Sequence, residues 1–341
     1  MWFETSNEAE RITILAKAHF DVLVVGSPCV DLVFSGLPHW PVLGQEMYVP
    51  GFALSVGAIF NTAATLSRLG LCVGLLCEVG NDLFSRYMLE EIERAGISRE
   101  LIFVRDYPLL SVSICLPYEG ERGFISYADA GRGSASPAGE LLSAEQHTGS
   151  EAAAHGFATD MLAALEQTTS EAAFLYVYPK MRPVLETLRQ RAMPIFLDAG
   201  WSQNTLTDSC FAELTRLGHY FMPNQAEATM ITGKQDPEEA VRALAQLGPT
   251  AIVKVGASGV IACRDGELFQ CPALPVAKVV DTTGAGDAFD AGFIYGNLQG
   301  YAFPDALRCG TICGSLSTTA MTGTSAVPTA AELEQIRMGF V

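Results

Sequence analysis

The stretch from Asp281 to Gly292, DTTGAGDAFDAG, combines residues that attract an anion with a residue that repels one. Gly284, Ala285 and Gly286 form a small-residue turn between an apolar strand and a helix. The free N–H groups and the dipole of a helix N-terminus attract anions. The next residue, Asp287, is an anion itself, since an unperturbed aspartate has a pKa of about 3.9. Either Asp287 merely caps the helix, or its carboxylate and the amides serve different parts of one reaction.

Two further stretches carry groups suited to a metal ion and to a nucleotide. PNQAEATMITG places Asn224 and Glu227 one helical turn apart after an apolar strand, and their oxygens suit Mg²⁺, directly or through water. The same spacing is common at an ordinary capped helix start. After the strand that contains Lys254, Gly256 and Gly259 would let a ligand approach the backbone, or would simply form a hairpin turn.

A third set of polar residues follows the first apolar strand. Asp31 lies within GSPCVD, and SVGAIFNTAATLSRLG places Gly57 and Asn61 at the entry to the next helix. A carboxylate and an amide at strand ends can accept from and donate to neighbouring hydroxyls, which is how polyols are bound. The alternative is that Asp31 is a solvated loop acid.

The elements that position these residues alternate along the chain. Dense apolar runs predict buried strands at 21–26, 74–80, 172–178, 194–200, 219–224 and 251–256. Stretches of helical period lie between them, including 61–70, 85–96, 182–192 and 236–248. This alternation predicts an α/β fold with a doubly wound, mostly parallel sheet.

Two segments break the alternation and predict a small β-sheet lid. Residues 33–55 lack helical period, and SVSICLP, the turn YEGERGF and ISY predict a half-exposed antiparallel hairpin within 100–127. We expect a lid over the carboxyl edge of the sheet, where such folds bind ligands. The expected division is a lid of 33–55 and 100–127 on an α/β core of 1–32, 56–99 and 128–341.

Composition narrows the classes of partner. The 341 residues include 21 Lys and Arg against 38 Asp and Glu, and the resulting net charge of −17 disfavours nucleic acid and anionic membranes. No apolar run is long enough to span a membrane, and no secretory signal is present. Nine scattered cysteines, an odd number, fit reduced thiols, so we expect a cytoplasmic protein. The histidines and cysteines show no zinc-binding spacing.

The order of these features resembles the ribokinase-like (PfkB) family of carbohydrate kinases over about residues 21–328. The most specific part is 281–292, with an acid, threonine, small residues, a Gly–Asp pair and then a helix of small and apolar residues. The resemblance implies an ATP-dependent phosphotransferase that moves the γ-phosphoryl group to a hydroxyl of a sugar or related polyol. It further implies that Asp287 is the catalytic base and that the amides of Gly284, Ala285, Gly286 and Asp287 form an anion hole.

The resemblance also implies ligands for the other groups. By that likeness, Mg²⁺ and the ATP phosphates are organised by Asn224 and Glu227, and the nucleotide site includes Lys254, Gly256 and Gly259. The sugar would be held by Asp31, Gly57 and Asn61. A monovalent cation such as K⁺ would be contacted by Asp281, Thr283 and Gly323. Lid-to-lid homodimers occur in the family, and an exposed apolar lid face would favour one.

Departures from the family pattern leave the substrate open. Val56 stands where a glycine usually precedes Gly57, and Ala58 stands where a polar residue is frequent, which points away from a strict ribokinase. The strand FLYVYPK lacks the glycine common at its end. The first twenty residues, read as a short helix, and 131–155, read as a surface loop or insertion, look like additions.

Two alternatives to a sugar kinase follow from the same residues. A base-stacking aromatic in the lid would favour a nucleoside kinase of this fold, and Phe34, Trp40 and Phe124 are candidates for it. A non-catalytic sugar-binding regulator would bind sugar without transfer. Arg122 and Arg132 could reach the pocket from the lid if the acceptor is acidic or phosphorylated.

Overall fold

Two β-sheets and a set of helices make up the fold. The computed structural model describes residues 18–118, 121–129, 151–200, 206–208 and 210–339. The strands are β1 Ala18–Val25, β2 Pro28–Ser35, β3 Gly51–Ala58, β4 Val73–Val79, β5 Ile102–Val104, β6 Ser111–Tyr118, β7 Glu121–Ala128, β8 Thr168–Tyr176, β9 Ile195–Asp198, β10 Tyr220–Phe221, β11 Thr250–Lys254, β12 Val260–Arg264 and β13 Glu267–Cys271. The helices are α1 Ile59–Arg68, α2 Leu83–Arg94, α3 Glu151–Gln167, α4 Arg182–Arg189, α5 Phe211–Thr215, α6 Gln225–Thr232, α7 Pro237–Ala245, α8 Ala285–Leu298, α9 Phe303–Ser317 and α10 Ala330–Gly339.

The large sheet has nine strands in the order β13-β12-β11-β10-β9-β8-β1-β4-β5. The pairs from β11 to β5 are parallel, and β12 and β13 add an antiparallel edge. Val22, Leu23, Val24 and Val25 of β1 are all fully buried, as expected for a parallel strand covered on both faces.

Helices cover both faces of this sheet. On one face, α3, α4, α5, α6 and α7 pack against a core that includes Leu23 and Leu197. On the other face, α1, α2, α8 and the start of α9 pack against a core that includes Val24 and Phe174. The chain builds outward from β1 through β4 and β5 on one side and from β8 to β11 on the other, so the switch point lies between β1 and β8.

The small sheet has four strands in the order β3-β2-β6-β7 and forms the lid. β2 pairs antiparallel with β3 and parallel with β6, and β6 pairs antiparallel with β7. The α/β fold with a doubly wound, mostly parallel sheet and a small β-sheet is therefore confirmed. The hairpin expected near 111–127 corresponds to β6 and β7.

The strand positions differ from the expected lid boundaries at two places. β2 begins at Pro28 rather than near 33, because only Gly26 and Ser27 separate the core strand β1 from the lid. β5, in the segment assigned to the lid, pairs with β4 of the large sheet through Cys77 and Ile102. The helix expected in the first twenty residues lies mainly outside the described residues, as does 131–150, whereas 151–155 belong to α3.

None of the helices in the described parts of the chain combines the length and the apolar character needed to cross a bilayer. All nine cysteines are free thiols.

Candidate active site

The carboxyl ends of neighbouring parallel strands bring polar side chains to one edge of the large sheet. Tyr176 ends β8, Asp198 ends β9 and Lys254 ends β11. Tyr176 and Asp198 are direct partners in the strand register, and Asn224, just after β10, bridges to Lys254. Because adjacent parallel strands end at the same edge, these side chains cluster there.

The turn at the start of α8 lies against this edge. Gly284 is the N-cap residue in the left-handed conformation, with φ 74°, and a Cβ there would lie 2.6 Å from Gly323 Cα. Glycine is therefore required at this position. The Ala285 amide donates to Thr282 O at 3.3 Å, whereas among the described residues no acceptor is bonded to the Gly286 or Asp287 amide. Such free amides at a helix N-terminus can bind an anion.

The Asp287 carboxylate is held by two donors from different elements. Tyr176 Oη donates to Oδ1 at 2.6 Å, and Asn61 Nδ2 donates to Oδ2 at 2.9 Å. Burial raises the pKa of Asp287 above its ordinary value, while these two hydrogen bonds and the Lys254 charge counteract the rise. Asn61, expected to hold the sugar, therefore also binds the expected base.

A buried lysine and two aspartates lie directly behind Asp287. Lys254 Nζ is 2.8 Å from Asp198 Oδ2 and 3.1 Å from Asp290 Oδ1. Oxygens of Asp198, Asp287 and Asp290 lie within 4.8 Å of one another. Burial alone would lower the pKa of Lys254, but the adjacent Asp198 and Asp290 raise it above its ordinary value. Lys254, expected at the nucleotide, therefore supplies the positive charge inside this acidic cluster.

Asn224 and Glu227 form a capping box at the start of α6. Asn224 Oδ1 accepts from the Glu227 amide at 3.0 Å, and Glu227 Oε2 accepts from the Asn224 amide at 2.8 Å. Glu227 is buried, and its pKa is raised by burial and by the charge of Asp198. The two residues thus form a capped helix start, which is the ordinary interpretation of this spacing. The cap also places Glu227 close to the acidic cluster of Asp198, Asp287 and Asp290.

On the lid, Asp31 faces the core beside Gly57. A Cβ at Gly57 would lie 1.9 Å from Asp31 Oδ2, so the missing side chain makes room for the carboxylate. Burial, followed by the charges of Asp287 and Asp281, raises the pKa of Asp31 to about 7. Asp31 is thus not a solvated loop acid; it is a buried acid on β2, within electrostatic reach of Asp287.

The two glycines after β11 have different surroundings. Gly256 has a φ of 59°, and a Cβ there would meet no atom within 4 Å among the described residues. At Gly259, a Cβ would lie 2.1 Å from the backbone oxygen of Cys271. Gly256 therefore borders open space that a ligand could fill, whereas the approach of the 271–273 backbone accounts for Gly259.

Residues 281–283 lie against the loop that contains Gly323. Asp281 Oδ1 accepts from the amide and the hydroxyl of Thr283 at 2.9 and 2.7 Å, and Oδ2 accepts from the Thr322 amide at 3.1 Å. A Cβ at Gly323 would lie 2.9 Å from Asn61 Oδ1. The three residues expected at a monovalent cation are thus brought together.

Strand pairing places the candidate lid aromatics on different faces. Phe124 pairs with Cys115, whose thiol is 3.7 Å from Thr283 Oγ1, so Phe124 lies on the face toward the core. Phe34 packs on Phe52 at 5.2 Å between ring centroids.

Two further candidates are placed by their ring contacts: Trp40 covers Gly123, and Arg122 lies over the Phe124 ring at 5.9 Å. Arg132 lies outside the described residues.

Sequence reasoning missed Tyr176, Asp198 and Asp290. Asp290 follows Asp287 by three residues, so the two acids share a helix face. Tyr176 and Asp198 each end an apolar run predicted to be a buried strand, and polar residues in that position are the available signal.

Known proteins share both the sequence pattern and the fold. A family model described as pfkB family carbohydrate kinase matches residues 21–330. The chain is 27% identical over 287 residues to a 2-dehydro-3-deoxygluconokinase of Bacillus subtilis (strain 168), covering 81% of this chain and 84% of that protein. It is 26% identical over 329 residues to a fructokinase of Klebsiella pneumoniae, covering 92% and 98%.

Solved structures show the same fold. Arabidopsis thaliana ribokinase complexed with ribose and ATP matches with a TM-score of 0.72 and 21% identity, over 94% of this chain and 99% of that one. A putative Ribokinase II of E. coli in complex with ATP and Mg²⁺ matches with a TM-score of 0.72 and 20% identity, over 94% and 99%.

Proposed function

The chain belongs to the pfkB family of carbohydrate kinases, and we propose that it transfers the γ-phosphoryl group of ATP to a hydroxyl of a sugar or related polyol. The observation that carries this proposal is that the Asp287 carboxylate belongs to the same first turn of α8 as the Gly286 and Asp287 amides, to which no acceptor is bonded within the described parts of the chain. The carboxylate can take a proton, and the amides can bind a phosphoryl group.

In the proposed reaction, the acceptor hydroxyl gives its proton to the Asp287 carboxylate as its oxygen bonds to the γ-phosphorus. The bond between the γ-phosphorus and the bridging oxygen to the β-phosphate breaks, and ADP leaves with that electron pair. The transition state is loose, so positioning and charge stabilisation by the 284–287 amides account for most of the rate acceleration. A weak base suffices because the hydroxyl becomes acidic only as the new bond forms.

The residues near Glu227 fit a divalent cation. The charges of Asp198 and Asp287 act on both Glu227 and Asp290, and Lys254 forms ion pairs with Asp198 and Asp290. Mg²⁺ prefers oxygen ligands and keeps several of its waters, so Asn224 and Glu227 would hold it through water. It would neutralise charge on the ATP phosphates. Gly256, beside open space, would border the nucleotide, and K⁺ would bind near Asp281, Thr283 and Gly323.

Asp31 would hold the sugar from the lid, with Gly57 leaving room for its carboxylate and Asn61 linking the sugar pocket to Asp287. A nucleoside acceptor is the second candidate, and the specific observation that favours it is Phe124 on the inner lid face with 53% of its surface exposed. A base could stack on such a ring.

We also propose that two lids associate in a homodimer. The lid face opposite Asp31 is apolar, and its exposed large side chains include Phe52, Leu54, Ile125 and Tyr127. Light scattering that gives the mass of a single chain at assay concentrations would contradict this part of the proposal.

A screen for ADP release tests the function. The acceptors are unphosphorylated sugars, sugar phosphates, sugar acids and nucleosides, each with and without K⁺, compared for wild type, Asp287→Asn and the control Asp236→Asn. Asp236 caps α7 on the surface, and asparagine caps equally well. Asp287→Asn should lower kcat by about 10²–10⁴-fold, the usual contribution of general base catalysis, and the control should match wild type.

Three outcomes separate the alternatives. Near-wild-type turnover by Asp287→Asn with the best acceptor would refute the mechanism. Activity confined to nucleosides would replace the sugar with a nucleoside. Tight sugar binding by the wild type without any transfer would favour a non-catalytic regulator.

A further inference from the structure

Tyr176 ends β8, next to β1 at the switch point of the large sheet. Its hydroxyl is hydrogen-bonded to Asp287, which lies 111 residues further along the sequence. The 2.6 Å distance from Oη to Oδ1 is that of a strong, charge-assisted hydrogen bond. The ring is wedged between two aromatic neighbours, Phe174 at 5.9 Å and Tyr178 at 6.3 Å between centroids. A hydroxyl carried by a ring packed in this way has little freedom to turn away.

Tyr176 and Asn61 together determine how the carboxylate is oriented. Each donates to a different oxygen of Asp287, and the two donors belong to β8 and α1, so rotation of the carboxylate would break both bonds. A carboxylate oxygen has two lone-pair sites, so each oxygen keeps one for the acceptor hydroxyl. The clamp therefore leaves the base free to react.

We propose that Tyr176 is a positioning residue for Asp287: its hydroxyl fixes the orientation of the carboxylate and favours the ionised form that can accept a proton. This inference rests on the proposed role of Asp287 as the base. The contact itself does not depend on the identity of the acceptor.

The charges around Asp287 show why such a donor matters. Burial, followed by the charge of Asp198, opposes ionisation of Asp287. The acids Asp31, Asp290 and Glu227 also interact electrostatically with Asp287. On the other side, Lys254 from β11, Asn61 from α1 and Tyr176 from β8 favour the ionised form. Burial and the Asp287 charge hold the pKa of Tyr176 well above its ordinary value, so the phenol remains a donor throughout the physiological range.

The test compares wild type with Tyr176→Phe and with Tyr220→Phe. Tyr220 lies on β10 in the same sheet, stacks on Phe196 and accepts a hydrogen bond from Asn297. Both variants remove one phenolic oxygen from a packed tyrosine, but only Tyr176→Phe removes a donor from Asp287. The primary measurement is the ¹³C NMR titration of the aspartate carboxyl carbons in the full-length protein, with the Asp287 signal assigned from its absence in Asp287→Asn.

The Asp287 signal should titrate at higher pH in Tyr176→Phe than in wild type and at the wild-type pH in Tyr220→Phe. With the acceptor found in the screen, kcat/KM of Tyr176→Phe relative to wild type should fall by up to about tenfold as pH is lowered through the Asp287 titration seen by NMR, because the unassisted carboxylate is protonated earlier as pH falls. Tyr220→Phe should follow the wild-type profile.

An unchanged Asp287 titration in folded Tyr176→Phe, or a loss of kcat/KM that is the same at every pH, would overturn the inference, since a packing role predicts no pH dependence. The NMR readout needs no turnover. If the wild type transferred no phosphoryl group but the titration still moved, the contact would stand and the proposed function would fail.

Discussion

Lys254 supplies the positive charge of a buried acidic cluster, and replacing it with methionine should strongly destabilise the protein. The ammonium lies 2.8 Å from Asp198 and 3.1 and 3.2 Å from the two oxygens of Asp290. The exposed fractions of the three side chains are 10% for Lys254, 8% for Asp198 and 0% for Asp290. Methionine preserves most of the aliphatic stem but leaves both carboxylates without their cation.

The magnitude follows from the burial. Removing one partner of a buried ion pair costs about 3–5 kcal/mol, because an uncompensated charge stays inside. The matched control is Lys234→Met, since Lys234 is 51% exposed and its ammonium is 3.5 Å from Glu239. An exposed pair of this kind contributes about 0–1 kcal/mol. Equilibrium urea denaturation at pH 7, followed by circular dichroism and fluorescence, measures both free energies of unfolding.

Two further results must accompany the loss. The double variant Lys254→Met/Asp290→Asn should recover part of the lost stability, because it removes one of the two carboxylate charges left without a cation. The deficit of Lys254→Met should also shrink as pH falls, since burial already holds the pKa of Asp290 well above its ordinary value and protonation neutralises it. A loss below about 1 kcal/mol for Lys254→Met, or no recovery in the double variant, would refute the reasoning from charge burial.

Two other substitutions test the lid and the edge of the core. Gly57→Ala would place a Cβ 1.9 Å from Asp31 Oδ2 and displace the carboxylate, so the sugar KM should rise at least about tenfold with the ATP KM near wild type; equal changes in both would contradict a sugar-side role. Glu78 is buried, and although Arg105 opposes the shift, burial raises its pKa to about 7. The neutral form therefore contributes stability that is lost as pH rises from about 4.5 to 7. Glu78→Gln avoids this loss, so its free energy of unfolding relative to that of wild type should increase by roughly 1–3 kcal/mol as pH rises from 4.5 to 8. Urea denaturation that shows the same difference between the two proteins at every pH would contradict this prediction.

The sequence alone determined the class of fold and the order of the site segments. Apolar runs such as 21–26 and 251–256 become buried parallel strands because helices of clear period cover both faces, and these signals are local. The turn at 284–287 is local as well: small residues precede a helix start, and an acid follows within the first turn. Asp31, Asn224 and Asp287 therefore stand out by residue type and by their position at the ends of apolar runs.

Only the tertiary structure decided which groups meet. Tyr176 and Asp287 are 111 residues apart, and Lys254 and Asp198 are 56 apart, so no periodicity links them. Their contacts arise because β8, β9 and β11 run parallel and end at one edge, where α8 begins. Strand pairing likewise decided that the lid begins at Pro28 and that β5 belongs to the core, since hydrogen bonds between strands depend on register in space and leave no mark in a single stretch of sequence.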